Sequence, residues 1–156
     1  MQQETAGRTP VDSGAAVLAA TIGASSMAFI DGSIVPIALP AIQADLGADF
    51  ATLQWIVNIY TLFLGALVLV GGAYGDTLGR RRVFLIGTVL FVAASALCGF
   101  APTAALLVAG RALQGIGAAL IVPQSLAIIS ASFPEATRGR AIGTWTAASA
   151  LTTSIG

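Results

Sequence analysis

The sequence alternates between long apolar stretches and short polar segments. Five apolar stretches are present: 14–41, 50–75, 83–101, 103–133 and 141–156. Each of the first four can form a helix that crosses a bilayer, which requires about 20 largely apolar residues. The fifth is shorter and is still apolar at its last residue. The pattern therefore predicts an all-α integral membrane protein with four complete transmembrane helices and a partial fifth.

The composition supports this prediction and excludes several kinds of protein. Of the 156 residues, 56% are hydrophobic and 9% are charged, whereas an average soluble domain has about a quarter charged residues. The net charge of zero provides no basic surface for nucleic acid. Histidine is absent and Cys98 is the one cysteine, so we expect no metal site, no cofactor and no enzymatic activity.

The positions of the arginines predict the orientation in the membrane. Arg8 precedes the first stretch, the arginines at 80–82 separate the second and third, and those at 138 and 140 separate the fourth and fifth. The connections on the opposite side contain no basic residue. Cytoplasmic loops carry an excess of lysine and arginine, so the N-terminus is predicted to be cytoplasmic. The chain would then be a multi-pass protein of the cell membrane.

This interpretation divides the chain into two parts. Residues 1–13 are predicted to form a short cytoplasmic tail. Residues 14–156 are predicted to form a transmembrane domain that is incomplete, because the fifth stretch is still apolar where the chain stops. That this is the N-terminal domain of a larger protein is implied by the resemblance described below.

Two ionisable residues, Asp31 and Arg111, lie deep inside the predicted helices. A charge near the centre of a bilayer costs roughly 2.5–3.5 kcal/mol, so each needs a partner or a water-filled cavity. Asp31 lies ten residues before the outer end of its stretch, and Arg111 lies eight residues after the outer start of its own. At 1.5 Å per residue both lie about 12–15 Å below the same surface. We therefore predict that they form a pair.

Such a pair has two interpretations, and the sequence leaves both open. If the cavity around it opens alternately to the two sides of the membrane, Asp31 can take up a proton in one state and release it in the other. Arg111 keeps its charge throughout. Alternatively, the two residues form a static ion pair that only makes the burial of both charges tolerable.

Small and helix-distorting residues surround the two charges. Those predicted to mediate close helix packing are Pro36, Gly115, Gly117 and Pro123. Gln114 follows Arg111 by three residues and therefore lies on the same helix face. Tight packing alone explains the glycines, whereas a polar stripe formed by Arg111 and Gln114 indicates a functional site.

The segment 72–82, GAYGDTLGRRR, is the most distinctive local pattern. Its glycines, among them Gly72 and Gly79, permit a helix to end and turn sharply. Asp76 is predicted at the C-terminal end of a helix, where the helix dipole disfavours an anion. We therefore expect a cationic partner among the arginines at 80–82. Alternatively, these arginines only anchor the topology.

Three segments together resemble the motifs of a known family. The segment 72–82 is similar to the conserved loop motif of the major facilitator superfamily. The segment RALQGIGAA, 111–119, resembles a motif of its drug:proton antiporters, and DGSIVPIALP, 31–40, resembles the first-helix signature of their fourteen-span branch. The departures are modest: Thr77 occupies a position that is usually basic, and Ser33 replaces a threonine.

The resemblance implies the N-terminal part of a helical bundle that belongs to a proton-coupled drug efflux transporter working by alternating access. It implies that Asp31, Arg111 and Gln114 serve proton coupling or substrate binding. The residues implied to form a cytoplasmic gate are Gly72, Asp76, Gly79, Arg80 and Arg81. The implied partners are the lipid bilayer, protons, small amphiphilic or cationic molecules, and the missing C-terminal half of the transporter.

Two other functions remain open from the sequence. A facilitator for a different small solute would have the same fold, since no residue here specifies a substrate. A truncated membrane protein without transport activity, or a small membrane scaffold, is the alternative for these 156 residues taken alone.

Overall fold

The computed structural model describes residues 10–155, which form five helices. Their bounds are α1 (Pro10–Leu46), α2 (Phe50–Leu78), α3 (Arg80–Gly99), α4 (Ala104–Ser132) and α5 (Glu135–Ile155). The predicted all-α fold is confirmed for these residues. Of the predicted tail, residues 10–13 belong to α1, and residues 1–9 lie outside the described residues, as does residue 156.

Within the described part of the chain, α1 to α4 are the helices long and apolar enough to cross a membrane. Helices α1 and α2 run beyond the apolar stretches that predicted them, α3 begins three residues before its stretch and ends two residues short of it, and α4 lies within its stretch. The 37 residues of α1 extend over about 55 Å at 1.5 Å per residue, which exceeds the hydrocarbon core of a bilayer. The 21-residue α5 packs mainly against α1.

The helices are joined by short connections with defined ends. Gly47 follows α1 with a φ of +60°, and Gly79 separates α2 from α3 with a φ of +95°. Both values lie in the region that favours glycine. The predicted turn within 72–82 is thus made by Gly79 alone. Gly72 and Gly75, also expected to end the helix, lie inside α2 instead.

Side-chain caps begin two of the helices. Asp49 Oδ1 accepts a hydrogen bond of 3.0 Å from Thr52 N at the start of α2, and Thr103 Oγ1 accepts one of 3.3 Å from Leu106 N at the start of α4. Each satisfies a backbone N–H that has no partner within the helix. The hydrogen bonds from Thr52 lower the pKa of the Asp49 carboxyl below its usual value.

Helix α4 lies at the centre of the bundle and packs against α1, α2 and α3. Its glycines allow close approach of the neighbouring backbones. A Cβ added at Gly115 would lie 2.5 Å from Tyr60 O on α2, and one at Gly117 would lie 3.0 Å from Gly87 O on α3. A larger residue at either position would therefore clash with the backbone of a neighbouring helix. Pro36 is exposed, and its predicted packing role stays a prediction.

Pro123 shapes the contact between α4 and α2. Because it has no N–H, it leaves the carbonyl of Ala119 without its usual helical donor. That carbonyl lies against Gly71 of α2, where any Cβ would overlap it. One residue after Pro123, Gln124 Nε2 donates to Gly71 O at 2.8 Å, and its amide covers Gly75. Gly71 and Gly75 of α2 are therefore explained by helix contact.

A buried polar cluster attaches α5 to the bundle. Ser25 of α1 donates to Ser125 Oγ of α4 at 2.9 Å, and Trp145 Nε1 of α5 donates to Ser25 Oγ at 3.2 Å. The ring of Trp145 also makes an edge contact with Phe29, with ring centroids 6.3 Å apart. Polar side chains that pair across helices in this way satisfy groups that would otherwise be costly in an apolar interior.

We predict that Gly115→Ala destabilises the bundle. The added methyl group would meet a backbone oxygen, which cannot rotate away, and overpacking of this kind typically costs about 1–3 kcal/mol. The measurement is the unfolding midpoint of the purified chain in detergent. Gly65→Ala in α2 is the matched control, because a Cβ added there would meet no atom within 4 Å and alanine favours the helix. Equal midpoints for the two variants would contradict the prediction.

Candidate functional site

Asp31 of α1 and Arg111 of α4 are in direct contact. Arg111 Nη1 donates to Asp31 Oδ2, so the pairing inferred from equal depth is present in the structure. The two residues are 80 positions apart in sequence, and the contact depends on α1 packing against α4. Neither charge is left alone in the apolar interior, which is the condition for burying an ion pair.

The guanidinium of Arg111 is held by α2 as well. Arg111 Nε donates to Ile56 O at 3.2 Å, and Arg111 Cζ lies 4.4 Å from the centre of the Tyr60 ring. A cation over an aromatic face at this distance is attracted to it. Tyr60 is itself held in place, because its hydroxyl donates to Ala28 O of α1 at 2.9 Å.

Gln114 connects the ion pair to α3. Its Oε1 accepts from Arg111 Nη1 at 2.8 Å, and its Nε2 donates to Asp31 Oδ1 at 2.7 Å. The same Nε2 donates to Ser95 Oγ at 2.8 Å, and Cys98 Sγ lies 3.4 Å from Gln114 Oε1. The polar stripe predicted on α4 thus becomes a network that includes all four of the long apolar helices.

The two charged side chains differ in their exposure. The side chain of Arg111 is 2% exposed and that of Asp31 is 18% exposed. Arginine stays protonated in proteins, whereas a carboxylate can accept a proton.

A cavity of 240 Å³ is lined by residues of α1, α2 and α4, including Tyr60 of the network. Its lining includes Ala28, Gly32 and Ser33 of α1, Tyr60 and Leu64 of α2, and Val122 of α4. Gly32 and Ser33 directly follow Asp31. Within residues 10–155, no three His, Cys, Asp or Glu side chains are grouped in a way that could hold a metal ion.

A second polar cluster lies at the other end of α2. Asp76 and Arg80 form a 3.1 Å ion pair across Gly79, and Arg80 Nη1 also donates to Ala127 O of α4 at 3.2 Å. The expected cationic partner of Asp76 is therefore Arg80. Arg81 and Arg82 line a surface hollow with it, next to the end of α4.

Sequence reasoning missed three members of the network around Arg111. They are Tyr60, Ser95 and Cys98. All three lie in stretches without an ionisable charge, where a hydroxyl or a thiol does not stand out among many serines and threonines. The signal that could have found Tyr60 and Ser95 is the requirement that a buried arginine and a buried amide each have several partners.

Comparison with known proteins identifies similar sequences among bacterial exporters. The chain is 43% identical over 128 residues to a probable actinorhodin transporter of Streptomyces coelicolor, covering 82% of this chain and 22% of that protein. It is 41% identical over 140 residues to the puromycin resistance protein pur8 of Streptomyces alboniger, covering 89% and 28%. It is 44% identical over 131 residues to the multidrug resistance protein Stp of Mycobacterium tuberculosis, covering 83% and 24%.

The aligned region thus spans about a quarter of the length of these relatives. The sequence pattern of the Major Facilitator Superfamily matches residues 21–156, which include the Asp31–Arg111 network and the Asp76–Arg80 cluster. Both the matched length and the multi-pass helical bundle agree with this assignment. The chain belongs to the Major Facilitator Superfamily.

Proposed function

We propose that this chain forms the N-terminal part of a proton-coupled efflux transporter, with Asp31 as the residue that exchanges protons. The observation that carries the proposal is the unequal exposure of one buried ion pair. The side chain of Arg111 is 2% exposed and is held by hydrogen bonds to α1, α2 and α4, while the side chain of Asp31 is 18% exposed. A static pair would not require one partner to stay accessible.

Protonation of Asp31 would change the forces between α1 and α4. The neutral carboxyl loses its Coulomb attraction to Arg111, and hydrogen bonds to ionised groups are about twice as strong as neutral ones. Arg111 keeps its bonds to α2 and α4, so α1 is the helix released. Proton uptake on one side and release on the other would then favour two arrangements of α1, as alternating access requires.

The substrates we propose are small amphiphilic or cationic molecules. The cavity lined by Gly32, Ser33 and Tyr60 has mostly apolar walls, which suit the apolar body of such a molecule. The partly exposed carboxylate of Asp31, which precedes Gly32 in the chain, would attract its positive charge. The names of the three relatives, which refer to actinorhodin transport, puromycin resistance and multidrug resistance, support an exported small molecule. Further helices, equivalent to the remaining length of these relatives, would complete the cavity.

The proposed location is the cell membrane, with the N-terminus in the cytoplasm. The arginines at 80–82 begin α3 and those at 138 and 140 lie in the first turns of α5, at helix ends that this orientation places on the cytoplasmic side. The lipid bilayer then surrounds the exposed apolar faces of α2 and α3.

We propose that Gly72, Asp76, Gly79, Arg80 and Arg81 form part of a cytoplasmic gate. The hydrogen bond from Arg80 to Ala127 O links the turn at Gly79 to the end of α4. Movement of α4 would therefore be transmitted to this turn. The Asp76–Arg80 pair is exposed, with 68% and 43% of the two side chains accessible, and so can exchange partners during a transport cycle.

Asp31→Asn and Arg111→Ala are each expected to lower proton-driven efflux by about tenfold or more in the complete transporter, equivalent to about 1.4 kcal/mol. Each removes one charge of the pair. Efflux is measured in inverted membrane vesicles, and insertion by the amount of protein in the membrane. Asp45→Asn and Arg140→Ala are controls with exposed side chains. Substrate-driven proton release at the unsubstituted level in either site variant would refute the proposal.

Arg111→Lys is expected to be as inactive as Arg111→Ala, to within about threefold. Lysine keeps the positive charge but cannot reproduce a planar group that bonds Ile56 O and Asp31 while it stacks on Tyr60. The same vesicle assay decides this point. Recovery of more than about half of the efflux with lysine would show that charge alone is sufficient.

Asp76→Asn is expected to slow transport by about tenfold while the unfolding midpoint hardly changes. Exposed ion pairs contribute only about 0–1 kcal/mol to stability, so a large effect on rate would be a gating effect. Thr77→Ala is the neighbouring control, because Thr77 Oγ1 bonds only to carbonyls of its own helix. Equal rates for the two variants would count against the gate.

A further inference from the structure

Ser95 is the point at which α3 joins the network around the ion pair. Gln114 Nε2 donates to Ser95 Oγ at 2.8 Å and to Asp31 Oδ1 at 2.7 Å. Ser95 lies about one turn before Cys98 on α3, so both side chains face α4. The proposed proton coupling uses α1, α2 and α4, and it assigns no task to α3.

Every hydrogen-bonding position of the Gln114 amide is occupied. Its Nε2 has two acceptors, Asp31 and Ser95, and its Oε1 has two donors, Arg111 and Cys98. A primary amide offers two donors and two acceptor sites, so the match is complete. Turning the amide by 180° would place Oε1 against the carboxylate and Nε2 against the guanidinium. The surroundings therefore select the orientation in which the NH₂ group faces Asp31.

Asp31 is the one neighbour whose strength as an acceptor changes on protonation. A hydrogen bond to an ionised carboxylate is roughly twice as strong as one to a neutral group. When Asp31 is neutral, the Ser95 hydroxyl is the acceptor that does not change. Since α3 and α4 share the most extensive helix contact of the bundle, Ser95 keeps a fixed place relative to Gln114.

We propose that Ser95 is a positioning residue that holds the Gln114 amide, with its NH₂ group toward Asp31, in both protonation states of Asp31. The proposal rests on the proposed function in taking Asp31 as the group that changes charge. Ser95 touches neither substrate nor proton and acts through Gln114. Helix α3 then provides a fixed support while α1 moves.

The reaction rate of Cys98 tests the proposal on the 156-residue chain in lipid nanodiscs. Cys98 is the one thiol of the chain and contacts Gln114 Oε1, so its modification by methyl methanethiosulfonate reports on the amide. Ser95→Ala removes the hydrogen bond from Gln114 Nε2 to Ser95 and so loosens the amide that contacts Cys98. Modification is expected to accelerate about fivefold, a factor that corresponds to the loss of one typical hydrogen bond. Ser95→Thr keeps the hydroxyl and is expected to react like the unsubstituted chain. Thr88→Ala, on the same helix, is the matched control.

A double-substitution cycle separates positioning from general loosening of the helix. In a Gln114→Leu background, Ser95→Ala should cause no further acceleration, because the amide on which Ser95 acts is gone. Equal acceleration in both backgrounds would overturn the proposal, as would a Ser95→Thr chain that reacts as fast as Ser95→Ala. The comparison of Ala with Thr at position 95 decides the matter even if Gln114→Leu fails to insert.

The dependence on Asp31 is tested in the same assay. Ser95→Ala should accelerate Cys98 modification more in an Asp31→Asn background than in the unsubstituted chain, because the neutral side chain holds Gln114 less strongly. An equal or smaller acceleration would overturn this part. These rates do not depend on transport. If Asp31→Asn retained efflux, the proposed function would fail while the modification rates still decided the role of Ser95.

Discussion

The burial of one guanidinium group governs the arrangement of the bundle. Arg111 is 2% exposed inside an apolar helix, so its donors must find acceptors within the protein. Asp31 on α1, a backbone carbonyl on α2 and Gln114 on its own helix provide them. Helices α1 and α2 must therefore approach α4 closely at one depth.

Close approach is possible because α4 has small residues where its neighbours cross it. The backbone of α2 packs against Gly115 at Tyr60, and the backbone of α3 packs against Gly117 at Gly87. In a bilayer, helices gain little from hiding apolar surface, so packing and hydrogen bonds hold them together. The polar network therefore depends on the glycines, since the hydrogen bonds of Arg111 form at the short helix separation that the glycines permit.

The contact between α2 and α4 connects the site to the arginine-rich turn. Tyr60 and Gly71 of α2 both meet α4, and beyond them Arg80 bonds the carbonyl of Ala127. Pro123 lies between these points and leaves the Ala119 carbonyl free to face α2. The ion pair and the turn therefore belong to one continuous helix interface, and a shift of α4 at one end changes contacts at the other.

The sequence alone was sufficient to predict the helical membrane fold, the pairing of Asp31 with Arg111, and a cation near Asp76. These follow from hydropathy and from the cost of isolated charges, which each residue carries with it. The partners Tyr60 and Ser95, the helical state of Gly72, and the exposure of Pro36 required the tertiary structure. Hydropathy determines how deep a residue lies but not how its helix is rotated or which neighbour it faces, and only the packing of α1, α2 and α3 around α4 decides those angles.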